Sequence, residues 1–142
     1  MEKKSKAQIF LERVEKIDTI IENKLIEQQQ WRDLAFSISA NMEGERVQSS
    51  GSKSKMADAI IKCVAMEDEI GEFVDKLIAE KMKATKVLES LYSPTEYKIL
   101  HMRYIQYISL TDIAIRLDKD YTWVTTTHGR ALKNVQKILD RQ

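Results

Sequence analysis

The stretch Ser93–Leu139 decides how this chain is read: S-P-T-E-Y-K-I-L-H-M-R-Y-I-Q-Y-I-S-L-T-D-I-A-I-R-L-D-K-D-Y-T-W-V-T-T-T-H-G-R-A-L-K-N-V-Q-K-I-L. Three helix starts stand in it. Ser93-Pro94-Thr95-Glu96 has the form of a capping box, with Pro94 at the first helical position, where its missing N–H is no loss. Ser109-Leu110-Thr111-Asp112 is a second start, with Asp112 near the positive end of the helix dipole. Asp120, before Tyr121-Thr122-Trp123-Val124, is a third. The second helix is expected from about Leu110 to Leu117, roughly two turns. Lys119 and its neighbours then turn the chain into a longer helix. Ile113, Ala114 and Leu117 share one face of the short helix, and Val124, Ala131 and Leu132 share one face of the long one. Ala114 is small where the two helices must approach, with Val124 as its expected partner. This is the pattern of a helix-turn-helix.

The same residues carry a family resemblance. I-L-x-x-R-Y at 99–104, S-L-T-D-I-A-x-x-L at 109–117, Val124 and R-A-L-K at 130–133 resemble the C-terminal DNA-binding region 4 of primary sigma factors, without gaps from about Leu91 to Lys133. In layout, a helical N-terminal part followed by this module, the chain resembles phage sigma-like late-transcription regulators of the ArpU and RinA kind. The resemblance implies a DNA-binding fold and a phage or prophage transcription regulator, with RNA polymerase as a candidate partner. Where sigma-like recognition helices carry Arg, Glu, Arg and Gln, this chain carries Tyr121, Thr122, Trp123, Thr125 and Thr126. The usual promoter element is therefore not the expected target. Asp118 stands where a turn glycine is common, and Asp tolerates the left-handed region better than most residues. Thr127 stands where the resemblance leads to an Ile.

Working outward, residues 7 to about 40 read as one helix. Phe10, Val14, Ile17 and Ile21 step by heptad spacing, and the step continues through Lys24 and Gln28 to Trp31, Ala35 and Ile38, with Leu25 and Leu34 widening the stripe. From Asn41 to Lys55 the periodicity stops, and Gly44, Gly51 and several serines mark a flexible connector. A second seam follows: Met56, Ile60, Cys63, Glu67, Ile70, Val74, Leu77, Lys81, Ala84, Leu88 and Leu91. The expected fold is all-α: a long antiparallel, coiled-coil-like helical hairpin over 1–91, then a sigma region 4-like helix-turn-helix domain over 92–142. The hairpin also offers a seam for a homodimer. Cys63 is expected to act as a small buried hydrophobe. The acidic run Glu67-Asp68-Glu69 with Glu72 reads as a solvated face, or as a docking site for a basic partner.

Composition narrows the function. The 142 residues are 43% hydrophobic and 32% charged, with one Pro and four Gly, which leaves little room for a turn-rich β fold. No run of eighteen apolar residues is present, so no membrane partner is expected. Glu12 and Arg13 interrupt any N-terminal signal sequence. A single cysteine cannot form an internal disulfide, and cytoplasmic residence is the expectation. The formal net charge of +1 hides an asymmetry. Residues 97–142 hold eight Lys/Arg against four Asp, whereas residues 1–96 hold fifteen against eighteen Asp/Glu. The basic excess lies on the expected reader and is modest, so weak, salt-sensitive non-specific binding to double-stranded DNA is expected. No phosphate loop, zinc-type Cys pair or His-Glu-x-x-His motif is present. No catalytic activity, cofactor or metal is expected. His101 is expected to be structural or exposed.

The expected base contacts are Tyr121, Thr122, Trp123, Thr125 and Thr126, a threonine- and aromatic-rich set suited to thymine methyls and groove shape. The expected phosphate contacts are Arg116, Lys119, His128, Arg130 and Lys133. Packing against the hairpin is the alternative for Trp123. Two other functions compete. One is a DNA-packaging protein of the small-terminase type, which also pairs a helix-turn-helix with helical oligomerisation segments. The other is an interaction adaptor that keeps the fold without reading DNA, as the absent recognition arginines would allow.

Overall fold

The computed structural model describes residues 3–44 and 50–142. Among them every regular element is helical: α1 (Lys6–Gly44), α2 (Ser50–Glu89), α3 (Pro94–Leu100) running into a π-helical turn (His101–Ile105), α4 (Leu110–Leu117) and α5 (Tyr121–Asp140). The long helices α1 and α2 pack antiparallel, as the paired seams require. None of the described helices is long and apolar enough to cross a membrane. The expected connector 41–55 is helical over much of its length. Residues 41–44 and 50–55 are helical, and 45–49 lie outside the described residues. A glycine costs a helix about 1 kcal/mol and a serine less. The low-propensity start of α2 therefore does not outweigh propagation from the seam behind it.

The chain divides into two compact units, Met1–Ile17 with Leu77–Gln142, and Asp18–Lys76. The division falls inside both long helices, not at the 91/92 boundary expected from the sequence. The reason is the composition of one core. Ala7, Leu11 and Val14 of α1 and Ala84, Val87 and Leu88 of α2 are buried together with Leu100, Tyr104, Ala131 and Val135. The base of the hairpin thus supplies six of these ten core residues, on which α3 and α5 rest. A second, smaller cluster of Ile99, Met102, Ile113, Ala114 and Val124 holds α4 and α5 together.

The seam of α1 follows the expected heptad through Val14, Ile17 and Ile21 to Gln28, but Ala7 and Leu11, not Phe10, are the fully buried residues of its first turns. Leu25 and Leu34 stay exposed. In α2 the residues facing α1 alternate with steps of three and four: Met56, Ala59, Cys63, Met66, Ile70, Phe73, Leu77, Glu80 and Ala84. Every other expected position is therefore displaced by one: Ala59 replaces Ile60, Met66 replaces Glu67, Phe73 replaces Val74 and Glu80 replaces Lys81. The polar middle of the seam is matched in the Asp18–Lys76 unit. Gln28 Nε2 donates to the Cys63 carbonyl at 3.0 Å, and Lys24 Nζ donates to Glu69 Oε2 at 2.9 Å. That contact with Lys24 holds the Glu69 carboxyl below its usual range. Cys63 is half-buried, and its thiol faces the Gln28 carbonyl at 3.7 Å.

Candidate nucleic-acid interface

Each helix of the α3–α5 module starts where a side chain or dipole favours it. Ser93 Oγ accepts from the Glu96 amide at 3.3 Å, and Ser109 Oγ from the Asp112 amide at 3.1 Å. Asp120 also stands at a helix start, yet its side chain makes no capping hydrogen bond. Its carboxylate still lies beside the positive end of the α5 dipole, which favours it there. The capping box is half formed. Glu96 is only 6% exposed, and its side chain meets α5 instead of returning to Ser93. Its Oε1 accepts from Asn134 Nδ2 at 2.6 Å, and its Oε2 lies 3.8 Å from Arg130 Nε. A buried carboxylate requires such partners, and here they tie α3 to α5.

The π turn and its exit position the short helix. Gln106 N–H donates to the His101 carbonyl at 3.1 Å, a bond spanning five residues. Tyr107 then takes a left-handed conformation, φ 62°, and redirects the chain towards α4. His101 is half-buried, its Nδ1 2.9 Å from Gln106 Nε2. The turn between α4 and α5 depends on Asp118, which adopts φ 53° and ψ 50°. Its amide and the Lys119 amide satisfy the Ile115 and Ala114 carbonyls at 3.2 and 3.0 Å. Asp thus fills a position that normally favours glycine.

Val124 and Thr127 are the buried residues of the first two turns of α5. The Thr127 hydroxyl donates to the Trp123 carbonyl at 2.8 Å, which satisfies it in an otherwise apolar setting. A β-branched side chain of nearly the right shape thereby takes the place of the expected Ile. The anchoring of Val124 and Thr127 turns the opposite face out. Tyr121, Thr122 and Thr126 are exposed, and Trp123 is 38% exposed. Thr125 is half-buried, and its hydroxyl donates to the Thr122 carbonyl at 3.0 Å, leaving its methyl as the group it can present.

Exposed cations lie on both helices of the α4–α5 pair and on the turn between them. Arg116, Lys119, Arg130 and Lys133 are exposed. Lys119 Nζ lies 5.3 Å from the centre of the Trp123 ring, a cation–π distance that orders both side chains at the tip of α5. Arg130 is held at its Nε side by Glu96, with most of its side chain open to solvent. His128 is placed differently from the expected phosphate contact. Its Nε2 is 2.7 Å from the Tyr104 hydroxyl, and the two rings stack with centroids 5.6 Å apart. Burial, and next the nearby Arg103, lower the His128 pKa, while Glu12 opposes them. Burial pushes the Tyr104 phenol up to about 12. The pair is therefore neutral near pH 7, and it joins the π turn to α5.

One exposed residue of this region was not singled out from sequence. Ile115 on α4 is 72% exposed and follows Ala114 at the edge of the same motif. Its signal was present: Ile113 and Ala114 already fill the inward positions of a two-turn helix, so the next apolar residue must point away. Among the described residues no group of three His, Cys, Asp or Glu side chains could hold a metal ion.

Residues 36–140 match the family model described as a protein of unknown function, DUF1492. No curated protein and no solved structure matches the chain. The matched region takes in the end of α1, all of α2 and the whole α3–α5 module, well over half of the sequence, and the chain belongs to the DUF1492 family.

Proposed function

We propose that the α4–α5 pair reads double-stranded DNA, with the first turns of α5 in the major groove, and that the protein is a sigma-like transcription regulator of the phage or prophage type. The observation that carries this reading is the outward face of α5. Tyr121, Thr122, Trp123 and Thr126 are accessible at a helix tip fixed from behind by Val124 and Thr127. Lys119 stands over Trp123 at that tip, exposed Arg116 lies on α4, and exposed Arg130 and Lys133 follow roughly two to three turns further along α5; together they supply phosphate contacts that set register. No arginine stands among the residues at the tip to make the bidentate guanine contact, so methyl-bearing thymines and groove shape are the readable features.

An adaptor that contacts protein instead of DNA is the competing reading. Exposed Ile115, Tyr121 and Trp123 favour it, because apolar surface at a tip also suits a protein partner. Selection from random duplexes at low salt, with the winners rebound at higher salt, separates the two. The DNA reading expects an enriched sequence whose preference changes in Thr122→Ala and Thr126→Ala. It also expects Arg116→Ala to weaken binding to all duplexes alike. No enrichment, with equal and weak binding by all variants, would leave the adaptor.

A further inference from the structure

The Asp18–Lys76 unit is a two-helix hairpin, and two helices bury one seam only. Its large apolar side chains are not confined to that seam: Leu25, Ile26, Leu34, Phe36, Ile60, Ile61, Val64 and Val74 are exposed, Phe36 by 77%. Their distribution is uneven. With the seam taken as a and d, Ile21 and Gln28 being a in α1 and Cys63 and Ile70 being a in α2, Leu25, Ile60 and Val74 fall at e, and Phe36 and Val64 fall at b. In an antiparallel pair, positions with the same letter lie along the same side, since reversing one helix brings e beside e and g beside g. Both helices therefore contribute apolar side chains to one side of the hairpin.

The opposite side, formed by g and c positions, is different. It carries Lys55, Asp58, Lys62, Glu69, Glu72 and Lys76, and Leu34 is its one exposed large apolar residue among those described.

We propose that the e/b side is where a second copy of this chain packs, turning two hairpins into a four-helix bundle. Three features select a second copy as the occupant. The first is charge. An isologous contact lays one face on itself, so it tolerates no large net charge. Among the described residues the exposed ionic residues of this face are Glu22 and Glu67 against Arg32 and Lys53, two of each sign, with half-buried Asp18 at its end. The second is area. Helices of 27 residues span about 40 Å, and two of them side by side at roughly 10 Å present about 800 Å². That equals the share of about 800 Å² per partner in a stable protein interface. The third is access. Gly71 lies at b in the same face, and a Cβ built there would meet nothing within 4 Å, so a neighbouring helix has room to approach. The proposal does not rest on the DNA reading, and its test contains no DNA, so failure of one is not failure of the other.

Sedimentation equilibrium on the full chain is the test. The wild type is expected at twice the chain mass of 16.5 kDa. Phe36→Glu with Val64→Glu is expected at the single-chain mass with unchanged helical circular dichroism, because both side chains are exposed in one copy. Leu34→Glu, on the other side, is expected to stay dimeric. Ile60→Gln with Val74→Gln, polar but uncharged, provides a milder version in case paired glutamates unfold the hairpin, and it is expected to weaken association at least tenfold. A monomeric wild type at tens of micromolar overturns the proposal. So does a dimer that survives both paired variants, and so does one that Leu34→Glu dissociates equally well.

Discussion

Removing the Glu96 carboxylate should loosen the α3–α5 module measurably. The side chain is almost fully buried, accepts from Asn134 at 2.6 Å and sits 3.8 Å from Arg130. Hydrogen bonds to charged groups contribute about 1.5–3 kcal/mol, and a buried donor left without a partner costs about 1–3 kcal/mol. The Arg130 side chain is 63% exposed, so its ion pair adds no more than about 1 kcal/mol. Glu96→Ala is therefore expected to destabilise the protein by about 2–3 kcal/mol. Glu96→Gln keeps an acceptor for Asn134 and should cost about 1 kcal/mol. Urea unfolding followed by circular dichroism measures both. The more discriminating member of the series is the pair Glu96→Leu with Asn134→Leu. If the carboxylate matters because it satisfies Asn134, the pair should cost less than the sum of its singles, by at least about 1 kcal/mol. A Glu96→Ala variant within about 0.5 kcal/mol of wild type, or strictly additive singles, would refute this account of how α3 is held to α5.

Other outcomes are expected from the same geometry. Asp118→Val, which places a β-branched residue at φ 53°, should lower stability by about 1–2 kcal/mol, whereas Asp118→Gly should not, as read from paired melting curves. His128 has a folded pKa below its ordinary 6.5, so its contribution to stability is complete above about that value and is lost as pH falls towards the folded pKa. Between those two values stability should drop with acidification by no more than about 1.4 kcal/mol per pH unit, and His128→Gln should flatten that segment of the stability profile. On DNA, Arg116→Ala and Lys119→Ala should each leave one phosphate without its cation. Each should therefore reduce the slope of log affinity against log salt by about 0.9, as read from titrations at several salt concentrations.

The sequence announced the module through local signals and missed what depends on packing between distant segments. Ser93, Ser109 and Asp118 act on their own neighbours within a turn, and each does in the structure what its chemistry suggests. The α2 seam was readable only in half. Met56, Cys63, Ile70, Leu77 and Ala84 are unambiguous, but at the alternate positions Ile60 outweighs the smaller Ala59, and β-branched Val74 competes with its neighbour Phe73. Hydrophobicity of single residues chose the wrong register in those layers, although Met66 beside Glu67 held the correcting signal. The partners of Glu96 and His128 are hidden from the sequence for another reason. These partners, Asn134 and Tyr104, lie 38 and 24 residues away, and no local pattern shows a side chain turning to meet one. The same limit applies to the core that joins Ala7 and Leu11 to Ala131 and Val135, which no boundary drawn at residue 91 anticipates.

The groove model has one direct optical test. In a Trp31→Phe variant, Trp123 is the remaining tryptophan, and its emission reports on the tip of α5 alone. Titration with the duplex enriched by selection should change that emission in step with binding measured by anisotropy of labelled DNA, and both should weaken together as salt rises. Binding that leaves Trp123 emission untouched would mean that the duplex docks elsewhere, and the account of α5 as the reading element would be wrong.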